Sequence, residues 1–206
     1  MNVDPSIKAY FVYGELDYPL FEYDDSSDLV FNDVKEHPQL NIEKTLKAME
    51  YIDSHIEYDF FIRTNLSTFW NFHKLHSYLN ELPNENCYSG VGPYGGYYLG
   101  GVDTIVTPDM IKSIISNKHL IDYLVCEDQA MGKYFHGYLK APMLPNSICV
   151  FEDITNENNI DLIMTRIKQS FENNVNHYRV KSRYNRETID FFIYKILLKT
   201  IYNIDY

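Results

Sequence analysis

A chain of 206 residues that is 45% apolar and 16% aromatic, with 19 Tyr and 12 Phe, can bury a core, which excludes an intrinsically disordered segment. Its formal charge of −11 argues against a general nucleic-acid binder, which needs a cationic surface to neutralise phosphates. No apolar run reaches the roughly 18 residues that span a bilayer, and no basic leader precedes a hydrophobic stretch, so a cytoplasmic location without a membrane span is expected.

Residues 9–12 read as a buried strand ending at Gly14, followed by an acidic, turn-rich stretch from Glu15 to Asp28. Residues 29–31 read as a second short strand, stopped by Asn32 and Asp33. Leu40, Ile42, Leu46, Met49 and Ile52 recur at helical spacing. Residues 58–62 predict a third strand, central in the sheet by its hydrophobicity. Residues 70–79 predict a helix broken near Pro83. Strand-like pieces follow at 87–89, 97–99 and 104–107, separated by glycines. Residues 109–116 and 128–135 read as helices, with Pro108 in a tolerated first-turn position. A late strand at 147–151 and helices at 158–171 and 187–202 complete the chain. Strands alternating with helices predict an α/β fold: a mixed, mostly parallel sheet with covered faces, in a single domain over residues 1–206. Residues 172–206 form its C-terminal basic loop and helix.

Three dispersed cysteines, Cys87, Cys126 and Cys149, lack metal-type spacing and suit unpaired, buried thiols in a reducing compartment. One segment departs from the general acidity. Across residues 177–186 the charged side chains are Arg179, Lys181, Arg183 and Arg186, with no acid among them. Such a patch on an acidic protein suits a small anionic ligand, although a solvated surface run is the plain alternative.

Four stretches carry a further signal. Leu40 to Thr45 contains Asn41 and Lys44. Tyr58 to Trp70 ends a hydrophobic strand with Arg63, Thr64, Asn65, Leu66 and Ser67. Tyr88, Ser89 and Gly90 precede Gly100, Gly101 and Thr104 to Asp109. Glu127 and Asp128 stand before Gly132. In this order the four resemble the GT-A-fold glycosyltransferases, specifically the fringe-like and β-1,3-galactosyltransferase-like group. They are similar to its N-L-T-x-K-T helix start, its strand with K-T-D-x-D, its Y-x-S-G-x-G-Y segment and its E-D-V-x-x-G.

The resemblance implies a GT-A-like, Rossmann-like fold. It also implies inverting transfer of a sugar from a nucleoside-diphosphate sugar, a UDP-sugar first, to a glycan or other hydroxyl acceptor. The group's D-x-D holds a divalent cation, Mn²⁺ or Mg²⁺, against the donor pyrophosphate. Here Asn65 and Ser67 occupy those positions, and neutral oxygens are poorer ligands for a hard cation. Asn65, Ser67 and His177 are the candidates for metal contact. Arg179 and Lys181, with His177, are expected to take over some or all of the cation's work.

Asp128 is implied as the base that deprotonates the acceptor, with Glu127 as runner-up, while helix capping is the plain role for both. Lys44, Arg63 and Thr64 adjoin the motifs on the donor side, and Arg63 could equally pair with Asp59 or Asp128. Gly100 and Gly101 allow close approach of a ligand. Tyr94, Tyr97 and Tyr98 read either as a sugar surface or as a packed hairpin. Asn65 and Ser67 also suit an ordinary strand-end turn, and Trp70 suits the core. The group carries a further strand and helix before the point where this chain begins, leaving Tyr13 and Gly14 for a reduced nucleobase pocket.

A degenerate glycan-binding or scaffold module is the second reading, since D-x-D is absent. A nucleotide hydrolase is disfavoured because neither G-x-x-x-x-G-K-[ST] nor G-x-S-x-G occurs. Abundant Asn, Ile, Tyr and Lys suit an AT-rich genome, as in bacteria and large DNA viruses, where the location would be the host cytoplasm.

Overall fold

The computed structural model describes residues 4–15, 28–35 and 41–205. Most of the acidic stretch and Leu40 lie outside the described residues. Strands β1 (Phe11–Glu15) and β2 (Asp28–Lys35) pair in parallel, with Val12 opposite Leu29 and Tyr13 opposite Val30. Both run past the predicted stops: β1 continues through Gly14 and β2 through Asn32 and Asp33. These turn formers fall in a register irregularity between the Tyr13–Val30 and Glu15–Lys35 pairs, so pairing on both sides carries the strands through them and tertiary context overrides propensity. Helix α1 (Ile42–His55) buries Ile42, Leu46, Met49 and Ile52, as their spacing predicts, and covers Leu29 of β2 with Ala48 and Ile52.

Strand β3 (Phe61–Thr64) is followed at once by a short strand β4 (Thr68–Trp70) and helix α2 (Phe72–Leu79). Trp70 was expected to open that helix. Instead Asn71 caps it, its side chain accepting from the Lys74 N–H at 3.2 Å. Strands β5 (Tyr88–Gly90) and β6 (Asp103–Val106) lead into helix α3 (Pro108–Ser116). Helix α4 (Glu127–Gly132) then widens into a π-helical turn over Lys133–Tyr138. Next come β7 (Met143–Pro145), β8 (Ile148–Val150), helix α5 (Ile160–Glu172), β9 (His177–Arg179) and helix α6 (Arg186–Tyr202). Residues 97–99, expected as strand, form a turn closed by a bridge between Tyr94 and Tyr98.

The strands form three hydrogen-bonded groups, β1-β2, β3-β6-β5-β7 and β4-β9-β8. β3 ends the second group, which corrects its expected central place. The interior strands, both fully buried, are β6 and β5. The expectation of a mostly parallel sheet is also corrected. β1–β2, β5–β7 and β8–β9 are parallel, whereas β3–β6, β5–β6 and β4–β9 are antiparallel. The chain returns from β5 to β6 through a turn, which forces the antiparallel sense; a parallel return needs a crossover.

Two cores result. Ile42, Met49, Tyr88, Val106, Ile111, Met131 and Phe135 join α1, α3 and α4 to the four-stranded sheet. Phe151, Ile163, Tyr178, Ile189, Ile193 and Leu197 join α5 and α6 to the three-stranded one. The Tyr202 hydroxyl accepts from the Phe72 N–H at 2.9 Å and donates to the Trp70 carbonyl at 2.7 Å, pinning α6 across β4. Among the described residues no helix is long and apolar enough to cross a membrane.

Candidate functional site

A cleft of about 580 Å³ opens where the two larger sheets meet. From β3 and the turn after it come Arg63 and Asn65. The glycine turn before β6 supplies Gly100, Gly101 and Val102. The start of α4 supplies Cys126, Glu127 and Asp128, and the far wall is Ile148, Val150, Glu152 and Arg179. Tyr94 and Tyr98 close one side.

Arg63 organises the floor. Its Nε donates to Glu127 Oε1 at 2.8 Å and a terminal nitrogen donates to Glu127 Oε2, a two-pronged pair. Its other terminal nitrogen donates to Asn65 Oδ1 at 2.8 Å and to the Gly101 carbonyl. Glu127 also accepts from the Thr45 hydroxyl. Arg63 therefore pairs with neither Asp59 nor Asp128, the partners considered from sequence. Glu127 stands nearer in three dimensions because α4 begins with it, buried against β3. Gly101 leaves room for this guanidinium. A Cβ at that position would lie 2.8 Å from the Arg63 guanidinium and 3.7 Å from the Asp128 Cβ.

Asp128 is half-buried in the first turn of α4. Its Oδ1 accepts from the Gln129 N–H at 3.0 Å and from the Cys126 thiol at 2.9 Å. Its Oδ2 has no hydrogen-bond partner among the described residues and belongs to a residue lining the cleft. Cys126 is exposed, against the expectation of buried thiols; Cys87 is buried, Cys149 is half-buried, and all three are free. Position explains the difference, because Cys126 stands at the entry to α4 on the cleft rim whereas Cys87 is enclosed in the first core.

Arg179 is the cation of the far wall. Its Nε donates to Glu152 Oε1 at 2.8 Å, leaving its terminal nitrogens without partners among the described residues. The rest of the basic run is dispersed. Arg183 approaches Glu152 at 3.8 Å, Arg186 pairs with Asp190 at 2.9 Å, and Lys181 is exposed and outside the cleft lining. His177 is wholly buried in β9 and packs against Trp70, with ring centroids 4.8 Å apart and the planes tilted by 32°.

Thr64 and Ser67 do not line the cleft. The Thr64 hydroxyl donates to the Val102 carbonyl at 2.9 Å, and the Ser67 carbonyl accepts from the Val180 N–H at 2.7 Å. Tyr13 and Gly14 on β1 and Lys44 on α1 also stand outside it. At the D-x-D position Asn65 Oδ1 accepts from Arg63 and the Ser67 backbone carbonyl accepts from Val180, while His177 is buried. Among the described residues no group of three or more His, Cys, Asp or Glu side chains is arranged to hold a metal.

No protein-family model matches this chain, and no curated protein matches it either.

Sequence reasoning missed two features. Glu152, which pairs with Arg179 through Nε, follows the apolar residues 148–151. It thus stands just past the carboxyl end of β8, where α/β sheets commonly place ligand-binding residues. The second is a buried polar cluster behind the cleft. Asp103 Oδ1 accepts from the Val91 N–H at 2.8 Å, and its Oδ2 accepts from Asn146 Nδ2 at 2.8 Å. His177 Nε2 lies 3.6 Å from the same Oδ2 and has no hydrogen-bond partner, while its Nδ1 is 2.7 Å from Asn176 Oδ1. Burial pushes the Asp103 carboxyl up to about 7, against the hydrogen bonds from Val91 and Asn146. It holds the His177 imidazole down to about 3. An acid opening an otherwise apolar strand was the available signal.

Proposed function

We propose that the chain is a glycosyltransferase of GT-A-like architecture, similar to the fringe-like and β-1,3-galactosyltransferase-like group, moving a sugar from a nucleoside-diphosphate sugar to a hydroxyl acceptor. The observation that carries this reading is convergence. Arg63, Asn65, Gly100, Gly101, Glu127, Asp128 and Arg179, drawn from remote stretches of sequence, line one cleft.

In this reading Asp128 Oδ2 accepts the proton of the acceptor hydroxyl as its oxygen bonds to the anomeric carbon. The bond from that carbon to the diphosphate oxygen breaks, and the configuration inverts. The free N–H groups of Arg179 meet the charge gathering on the departing diphosphate. Glu127 acts through Arg63 as a positioning residue, since both of its oxygens are engaged. Three free thiols support a reducing compartment such as the cytoplasm.

The test is a thermal-shift and turnover panel of UDP-, GDP- and dTDP-sugars, with Mn²⁺ and with EDTA. One nucleotide is expected to stabilise the fold in EDTA, and Asp128→Asn is expected to lower transfer by about 10²–10⁴-fold with unchanged nucleotide affinity. Full turnover in Asp128→Asn removes it from the chemistry. Asn65 and Ser67, neutral where carboxylates would stand, favour a second reading as a glycan-binding module. That module would give no shift with any nucleotide.

A further inference from the structure

We infer that Tyr94 is the platform on which a pyranose ring of the acceptor stacks, so that the acceptor is a carbohydrate rather than a protein or lipid hydroxyl; this rests on reading the cleft as a transferase centre. Three observations bear on it.

The first is placement. Gly100 and Gly101 are consecutive in the cleft lining and separate Tyr94 from Asp128. A Cβ on Gly100 would lie 2.9 Å from the Tyr94 ring, and one on Gly101 would lie 3.7 Å from the Asp128 Cβ. The bare backbone of this pair lets a ring reach both groups at once.

The second is rigidity. The Tyr94 N–H donates to the Tyr98 carbonyl at 2.8 Å, and the Gly100 N–H donates to the Val91 carbonyl at 2.7 Å. The Val91 N–H is in turn held by buried Asp103. The turn is also clamped to the helix that carries Asp128. A Cβ on Gly132, one helical turn beyond Asp128, would overlap Tyr98 and lie 2.7 Å from the Tyr97 carbonyl oxygen. Tyr94 and Asp128 therefore share one frame, and yet Tyr94 is 46% exposed. A large aromatic fixed in place beside a cleft is preorganised for a ligand.

The third is chemistry. The carboxylates of Asp128 and Glu152 line the same cleft and only accept hydrogen bonds, so they suit a partner rich in hydroxyl donors. A pyranose answers both surfaces. Its C–H face carries partial positive charge toward the negative face of the phenol ring, and its hydroxyls donate to the carboxylates.

The experiment is saturation-transfer NMR with the methyl α- and β-pyranosides of glucose, galactose, mannose and N-acetylglucosamine, with uridine as a separate probe, on wild type, Tyr94→Ala and Tyr94→Phe. At least one pyranoside is expected to receive saturation on the C–H protons of one face. Tyr94→Ala should weaken it about tenfold while Tyr94→Phe retains it, since the ring and not the hydroxyl stacks. Nucleoside-diphosphate affinity, measured in parallel, should be the same in all three proteins. Equal pyranoside contact in Tyr94→Ala, or saturation of uridine alone through Tyr94, overturns the platform. Sugar-nucleotide turnover with an acceptor KM insensitive to Tyr94→Ala does so too, while leaving the transferase reading intact. Tyr94-dependent pyranoside binding without any nucleotide binding sustains the carbohydrate subsite and removes the transferase.

Discussion

Arg63 and Glu127 face each other as a two-pronged ion pair at the floor of the cleft, their side chains 18% and 6% exposed. The pair ties the end of β3 to the first turn of α4. Removing one member leaves the other charged and shielded from water. Glu127→Ala and Arg63→Ala are each expected to cost about 3–5 kcal/mol in urea unfolding, and Arg63→Met with Glu127→Leu should recover much of the loss. Single variants as stable as wild type would show that the pair is not shielded in solution.

Glu152 competes with any anion for Arg179. Glu152→Gln removes a negative charge from the cleft wall and frees the Nε donor. Calorimetry should find UDP bound several-fold more tightly by this variant, and roughly tenfold more weakly by Arg179→Ala. Arg179→Lys should not restore binding, because an ammonium lacks the planar fork. Equal affinities across the series would place the phosphates elsewhere.

Asp103 and His177 oppose each other in their dependence on pH. The Asp103 carboxyl, raised from 3.8 to about 7, keeps a proton that the unfolded chain has lost; its contribution is present at low pH and disappears as pH rises to 7. The His177 imidazole, lowered from 6.5 to about 3, lacks a proton that the unfolded chain has gained; its contribution is present above 6.5 and lost as pH falls. Between about 4 and 6.5 the two slopes cancel. Asp103→Asn should therefore unmask a stability that rises with pH across this window, by at most about 1.4 kcal/mol per unit, and His177→Gln one that falls. Urea midpoints across the window check the signs, and identical profiles in all three proteins would exclude the pair.

Gly132 lets α4 press against the tyrosine turn. Gly132→Ala removes a flexible residue from a helix, which alone would stabilise it, but its Cβ overlaps Tyr98. Overpacking should dominate, costing about 1–3 kcal/mol by thermal unfolding. A stabilised variant would mean that the turn moves away freely.

Sequence alone reached the motif residues of the cleft and Arg179 on the wall opposite them, but not Glu152 beside it. Ile42, Leu46 and Met49 announce α1 by their spacing, and Pro108 marks the start of α3. Both signals are local. Trp70 and His177 give no such signal, because each belongs to a three-residue strand held by its neighbours, β4 by β9 and β9 by both β4 and β8. A window too short for alternation leaves Trp70 looking like the first turn of α2 and residues 177–179 like a loop. The pairing of Arg63 was equally hidden. Asp59 and Asp128 were the partners considered from the sequence, and the entry of α4 beside β3 selects Glu127 instead.

The order in which the chain is made has a consequence for the cleft. β4 is synthesised early, and its partner β9, which carries Arg179, emerges late. Domains generally fold as units during synthesis. A chain released before β9 is made holds Asp128 and the Arg63–Glu127 pair in its sequence but has neither the Arg179 wall nor the strand that pairs with β4 and β8. The cleft is therefore completed only once β9 has been made.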